Sequence, residues 1–87
     1  MNWLEIKNDI RQGLKTRGLS NPNIRLGALE NLEEIFKKNF PEYLMNPNEM
    51  FGKTDKNEFK EKVAKFKSNK KLNSAESSVI NEIYYRI

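Results

Sequence analysis

The sequence contains no cysteine and no histidine. Without cysteine the chain has neither a disulfide bond nor a thiolate ligand for a metal. Without histidine it lacks the side chain that most often serves as a general base, a metal ligand or a pH-sensitive switch. The four glycines are scattered rather than gathered into a phosphate-binding loop. These absences predict that the protein is not an enzyme and has no cofactor and no metal.

Long hydrophobic runs are also missing. No stretch approaches the ~20 consecutive apolar residues that cross a membrane. The first ten residues include two acidic side chains and no apolar run, so they do not suit a secretory signal. We therefore expect a cytoplasmic protein, made by a cell or by a virus or phage inside one.

The length of 87 residues predicts one small helical domain over residues 1–87. Apolar residues make up 37% of the chain and charged residues 32%, which is enough for a core but only a small one. The sequence ends on an apolar helical turn, which leaves open that it is the N-terminal fragment of a longer protein.

Apolar residues recur at helical spacing in four segments, which predicts an all-α fold, a small bundle of about four short helices. The first helix covers about 3–17, with Asn2 and Glu5 at the spacing of a capping box before it. The second begins as early as Pro22 and ends before Pro41.

The apolar pattern in the second half of the chain predicts two more helices. The third covers about 56–68 behind a cap at Asp55, and the fourth follows a cap at Ser74. In residues 41–53 the sequence predicts no more than a single capped helical turn, from Asn46 to Gly52. Five aromatic side chains on the apolar stripes are expected to supply most of the core: Trp3, Phe36, Phe40, Phe59 and Phe66.

Positive charge is concentrated in the third helix and the turn after it. Between Lys56 and Lys71 there are seven lysines and two acidic residues, a net charge of +5, whereas the rest of the chain sums to −1. At 100° per residue, several of these lysines share one flank of the apolar stripe. The pattern predicts contact with nucleic-acid backbone or another anion, or action at a nucleic-acid enzyme, through Lys56, Lys60, Lys67, Lys70 and Lys71. A second basic ridge on the first helix is expected to assist: Lys7, Arg11 and Lys15.

The same lysines also suit an ordinary solvated helix face. Lysine stems pack along apolar flanks while their ammonium groups stay in water, and lysines near the end of a helix interact well with its dipole. The sequence leaves both interpretations open. Lysine outnumbers arginine twelve to four, so any contact with nucleic acid should be mostly with phosphates and largely independent of base sequence.

A second candidate surface is apolar. Methionine and aromatic residues are enriched at interfaces, and here they occur in the poorly patterned middle segment and near the end of the chain. The alternative function is therefore a protein–protein adaptor or inhibitor that uses Tyr43, Met45, Met50, Phe51, Tyr84 and Tyr85. Residues 41–51 would otherwise simply cover one end of the bundle. In size and charge the chain resembles small phage-encoded regulators, among them anti-CRISPR inhibitors, although this resemblance covers no motif.

Overall fold

The computed structural model of the protein describes residues 1–16, 22–69 and 71–87. These residues form four α-helices: α1 (Trp3–Thr16), α2 (Pro22–Asn39), α3 (Lys53–Asn69) and α4 (Ser74–Arg86). One 3₁₀ turn, Pro41–Tyr43, follows α2. No strand occurs in this part of the chain, so the prediction of a small all-α bundle is confirmed. None of the described helices is both long enough and apolar enough to cross a membrane.

The starts of α1 and α2 agree with the sequence patterns. The Oδ1 atom of Asn2 accepts a hydrogen bond from the backbone N–H of Glu5 at 2.8 Å, which confirms Asn2 as the cap of α1. α2 begins at Pro22, where the missing N–H of proline costs no helical hydrogen bond. It ends at Asn39, before Pro41.

The start of α3 differs from the prediction. The helix begins at Lys53, because the carbonyl of Gly52 accepts the N–H of Lys56 at 2.9 Å. Asp55 consequently lies in the first turn and is not the cap. Its negative charge still interacts favourably with the positive end of the helix dipole.

The cap of α4 is Asn73 rather than the predicted Ser74. The side chain of Asn73 accepts from the N–H of Glu76 at 2.8 Å, and the side chain of Glu76 accepts from the N–H of Asn73 at 3.2 Å. These reciprocal bonds form a complete capping box. Ser74 becomes the first helical residue.

The core is built around aromatic rings, and all five predicted aromatic residues are buried. Phe59 lies at the centre, with ring centroids between 5.1 and 6.4 Å from those of its neighbours. Most of these contacts are tilted or edge-to-face, as aromatic quadrupoles favour. The rings around Phe59 are Trp3, Phe36, Phe40, Tyr43 and Phe51.

The segment between α2 and α3 covers one end of the bundle. Tyr43 and Leu44 are buried, and the ring of Tyr43 stacks on that of Phe59. Backbone hydrogen bonds tie the segment to the start of the chain, from Leu4 N to the carbonyl of Pro47 at 3.2 Å among others. The helical turn predicted from Asn46 to Gly52 does not form; a hydrogen bond from Glu49 N to the carbonyl of Asn46 at 2.9 Å closes a non-helical turn there, and the 3₁₀ turn of this segment lies at Pro41–Tyr43 instead.

Candidate nucleic-acid interface

One flank of α3 carries lysines that face α4. The ammonium groups of Lys60 and Lys67 lie 5.0 and 5.3 Å from the centroid of the Tyr84 ring. Both distances are within the range of a cation–π interaction. Because both lysines lie over one ring, they share the same side of the helix.

Two of the other predicted lysines of this region, Lys56 and Lys71, are exposed. Lys56 precedes Lys60 by one helical turn, and Lys71 follows the end of α3. Lys70 lies outside the described residues. No carboxylate in the described part of the chain forms an ion pair with Lys56, Lys60, Lys67 or Lys71. Their positive charge is therefore not neutralised internally.

The opposite flank of α3 carries both signs of charge and lies against acidic residues of the segment before the helix. It faces a cavity of about 190 Å³ lined by four acidic residues: Glu42, Glu49, Asp55 and Glu58. Lys62 also lines this cavity, and it pairs with Glu42 at 3.6 Å. The hydroxyl of Tyr43 donates to Glu58 at 3.0 Å. Burial, this hydrogen bond and the surrounding negative charges raise the pKa of Tyr43 to about 12.

The basic ridge predicted on α1 is partly used inside the protein. The ammonium group of Lys7 donates to Glu33 at 2.8 Å and lies 3.7 Å from Glu30. Its side chain is only 16% exposed, so Lys7 is not free to contact phosphate. Arg11 and Lys15 are exposed, but α1 packs chiefly against α2 and α4.

Glu33 is a buried acidic residue held by two donors. The indole N–H of Trp3 donates to one carboxylate oxygen and Lys7 donates to the other. Burial alone would raise the pKa of Glu33. The hydrogen bonds from Lys7 and Trp3, together with the positive charges of Lys7 and Lys37, outweigh burial, so the pKa is lowered. The group is therefore ionised at neutral pH and binds Lys7 firmly.

Aromatic and polar side chains of α4 lie beside the lysine flank. Tyr84 is half-buried beneath the two ammonium groups, whereas Tyr85 is 78% exposed. The two tyrosine rings meet edge to face at 5.6 Å. We call this surface the α3–α4 groove and define it by Lys56, Lys60, Lys67, Ser77, Asn81, Tyr84 and Tyr85.

A cleft of about 370 Å³ lies in the α3–α4 groove. It is lined by Lys67, Leu72, Ser77, Ile80 and Asn81. The Oδ1 atom of Asn81 is buried and has no hydrogen-bond partner among the described residues. Sequence reasoning missed Ser77 and Asn81, although the spacing 77, 81 and 84 places them with Tyr84 on one face of a helix.

The residues of the alternative apolar surface do not form one surface in the structure, because some are buried and others are exposed. Tyr43 is 5% exposed and stacked on Phe59, so it is a core residue and not a surface contact. Phe51 is half-buried in the same end of the bundle. Met45 and Met50 are 73% and 56% exposed. Tyr84 and Tyr85, the other members of the predicted set, belong to the α3–α4 groove.

Comparison with protein-family models, with curated proteins and with solved structures finds no match to this chain. The function must therefore be inferred from the surface chemistry of the protein itself. The α3–α4 groove combines lysines that have no carboxylate partner, the exposed ring of Tyr85 and a cleft.

Proposed function

We propose that this protein is a non-enzymatic helical module that binds the phosphate backbone of nucleic acid through the α3–α4 groove, either free or at a nucleic-acid enzyme. The observation that carries the proposal is the set of lysines on one flank of α3 without carboxylate partners. Lys60 and Lys67 are held toward the same ring, which limits their side-chain freedom before any ligand binds. Less entropy is then lost on binding.

Lysine ammonium groups bind phosphates as point charges and give little base selectivity. Each phosphate neutralised changes the slope of log affinity against log salt by ~0.7–0.9. Three contacts through the groove lysines at positions 56, 60 and 67, with a fourth through Lys71 just after α3, therefore predict a slope of about −3 to −4. Affinity should be similar for unrelated base sequences.

The test measures fluorescence anisotropy of a labelled oligonucleotide of mixed sequence over a range of salt concentrations. The double variant Lys60→Gln/Lys67→Gln removes two charges from the groove. The control Lys62→Gln/Lys65→Gln removes two charges from the other side of the same helix. We expect the first variant to reduce the steepness of the slope by about 1.4–1.8 and the control to reduce it much less.

Two outcomes would overturn the proposal. If neither DNA nor RNA binds at low salt, the lysines are an ordinary solvated face. If the two double variants weaken binding equally, only the net charge of the protein matters, and the groove is not the site.

The adaptor or inhibitor function is a second candidate, supported by the exposure of Met45, Met50 and Tyr85. Affinity capture from native lysate, with and without nuclease, separates the two candidates. A protein partner that persists after nuclease and is lost with Met45→Gln/Met50→Gln favours the adaptor. Loss of all partners after nuclease favours nucleic-acid binding.

A further inference from the structure

We infer that the nucleic acid in the α3–α4 groove is single-stranded, with its phosphates along the lysines of α3 and its bases turned toward Tyr85 and the cleft at Asn81. This inference rests on the proposed function and specifies its ligand. Three features of the groove support it.

The first feature is the exposed ring beside the cations. Tyr85 is 78% exposed and follows Tyr84, whose ring lies beneath Lys60 and Lys67. Base–aromatic stacking next to a basic groove is the usual way in which proteins hold single strands without sequence preference. In a duplex the base faces are covered by neighbouring bases, so a surface tyrosine has no free base to stack on unless one is extruded.

The second feature is the chemistry of the cleft. Its volume of about 370 Å³ falls at the small end of ligand pockets, which are ~300–1,000 Å³. Leu72 and Ile80 supply apolar walls, and Asn81 supplies a buried oxygen without a partner. The side-chain amide of Asn81 carries both an acceptor and a donor, so by itself it does not discriminate between a base and a phosphate. The apolar walls do discriminate, because burying an ionised phosphate against Leu72 and Ile80 costs far more than burying the face of a base. The cleft therefore favours a base over a phosphate.

The third feature is the position of the cations. The ammonium groups of Lys60 and Lys67 converge on the Tyr84 ring from α3, and the Tyr84 ring meets that of Tyr85 at 5.6 Å. A phosphate held by these lysines therefore lies next to the ring on which its base would stack. Lys67 belongs to both the cation–π pair and the wall of the cleft, so it links the two contacts.

The test compares three probes at one salt concentration: a single-stranded oligonucleotide, its duplex and an abasic strand of the same length. The wild-type protein should bind the single strand most tightly. Tyr85→Ala should lower affinity for the single strand about tenfold or more, with little effect on the abasic strand and no change in salt slope. Tyr85→Phe keeps the ring and should bind as the wild type does.

Asn81→Ala provides a second measurement. It should weaken binding of the single strand several-fold and leave binding of the abasic strand unchanged, because Asn81 lines the cleft that receives the base. Circular dichroism of each variant checks that the bundle is intact, and Tyr85 in particular is too exposed to be needed for folding.

The outcomes separate this inference from the proposed function. Equal binding of all three probes, with no effect of Tyr85→Ala, would refute the single-strand inference and leave backbone binding in place. Equal losses in Tyr85→Ala and Tyr85→Phe would also refute stacking. Failure of every probe to bind at low salt would remove both proposals.

Discussion

Replacing Glu33 should destabilise the fold more than replacing any other acidic residue of α2. Glu33 is 7% exposed and accepts hydrogen bonds from both Trp3 and Lys7. The variant Glu33→Ala leaves the indole N–H of Trp3 buried without a partner. It also leaves the ammonium group of Lys7 without its nearest negative charge.

The magnitude follows from these two losses. An unsatisfied buried donor costs about 1–3 kcal/mol. Loss of one partner of a fully buried ion pair costs about 3–5 kcal/mol. The cost of leaving Lys7 without Glu33 is smaller, because Lys7 is 16% exposed to water and keeps Glu30 at 3.7 Å. We expect Glu33→Ala to lower the free energy of unfolding by about 2–4 kcal/mol. Glu33→Gln keeps an acceptor for Trp3 and should cost about 1–2 kcal/mol.

Urea denaturation followed by tryptophan fluorescence measures this effect, because Trp3 is the only tryptophan and lies in the network. Glu30→Gln is the matched control, since Glu30 is on the same helix and faces the same lysine at a longer distance. Its side chain is 55% exposed, so the change should stay within about 0.5 kcal/mol. If Glu33→Ala costs no more than Glu30→Gln, the buried network does not stabilise the fold.

The lowered pKa of Glu33 adds a pH signature. The folded state favours the ionised form, so the stabilisation is present above the unfolded pKa of about 4.3 and is lost as pH falls through the lower folded pKa. Glu33→Gln should therefore flatten the acid side of the stability profile. An unchanged acid side in this variant would contradict the assigned role of the carboxylate.

Three further predictions concern the core, a cap and a buried hydroxyl. Phe59→Ala should lower the free energy of unfolding by about 3–5 kcal/mol in urea denaturation, because it removes the ring at the centre of the aromatic cluster. Asn73→Ala should cost about 1 kcal/mol and Ser74→Ala less than about 0.5 kcal/mol, and equal costs would contradict the observed cap. In an ultraviolet titration Tyr43 should ionise with a pKa of about 12, and Tyr43→Phe should remove that step. Because this pKa is raised, the stabilisation is present below the unfolded pKa of about 10 and is lost as pH rises through about 12.

The core could be predicted from the sequence because helical periodicity is a local property. Apolar residues three and four positions apart share a face whatever the rest of the chain does, so Trp3, Phe36 and Phe59 were identified correctly. Caps were less certain, because neighbouring residues compete for the role. Ser74 and Asn73 are both good cap residues, and only the Glu76 side chain selects between them.

The candidate site could be predicted only in part, because it is formed by the packing of helices against each other. The spacing of residues along the chain does not show how helices pack. The pattern placed Lys60 and Lys67 on one flank of a helix, but it did not show that Tyr84 lies beneath them. It also placed Lys7 in a basic ridge, whereas the fold pairs it with Glu33, 26 positions away. The unpartnered oxygen of Asn81 likewise depends on how α3 and α4 pack together.

The lysines of the α3–α4 groove and the acidic cavity on the other side of α3 have a consequence for approach from a distance. The net charge of +4 understates the electric field near the protein surface. The lysines attract a polyanion on one side and the acidic cavity repels it on the other, and close to the surface these two fields do not cancel. A polyanion diffusing toward the molecule exerts a torque on it and turns the lysine side forward before the surfaces touch. Moving the acidic residues elsewhere would leave the total charge unchanged, yet it would slow productive encounters at low ionic strength.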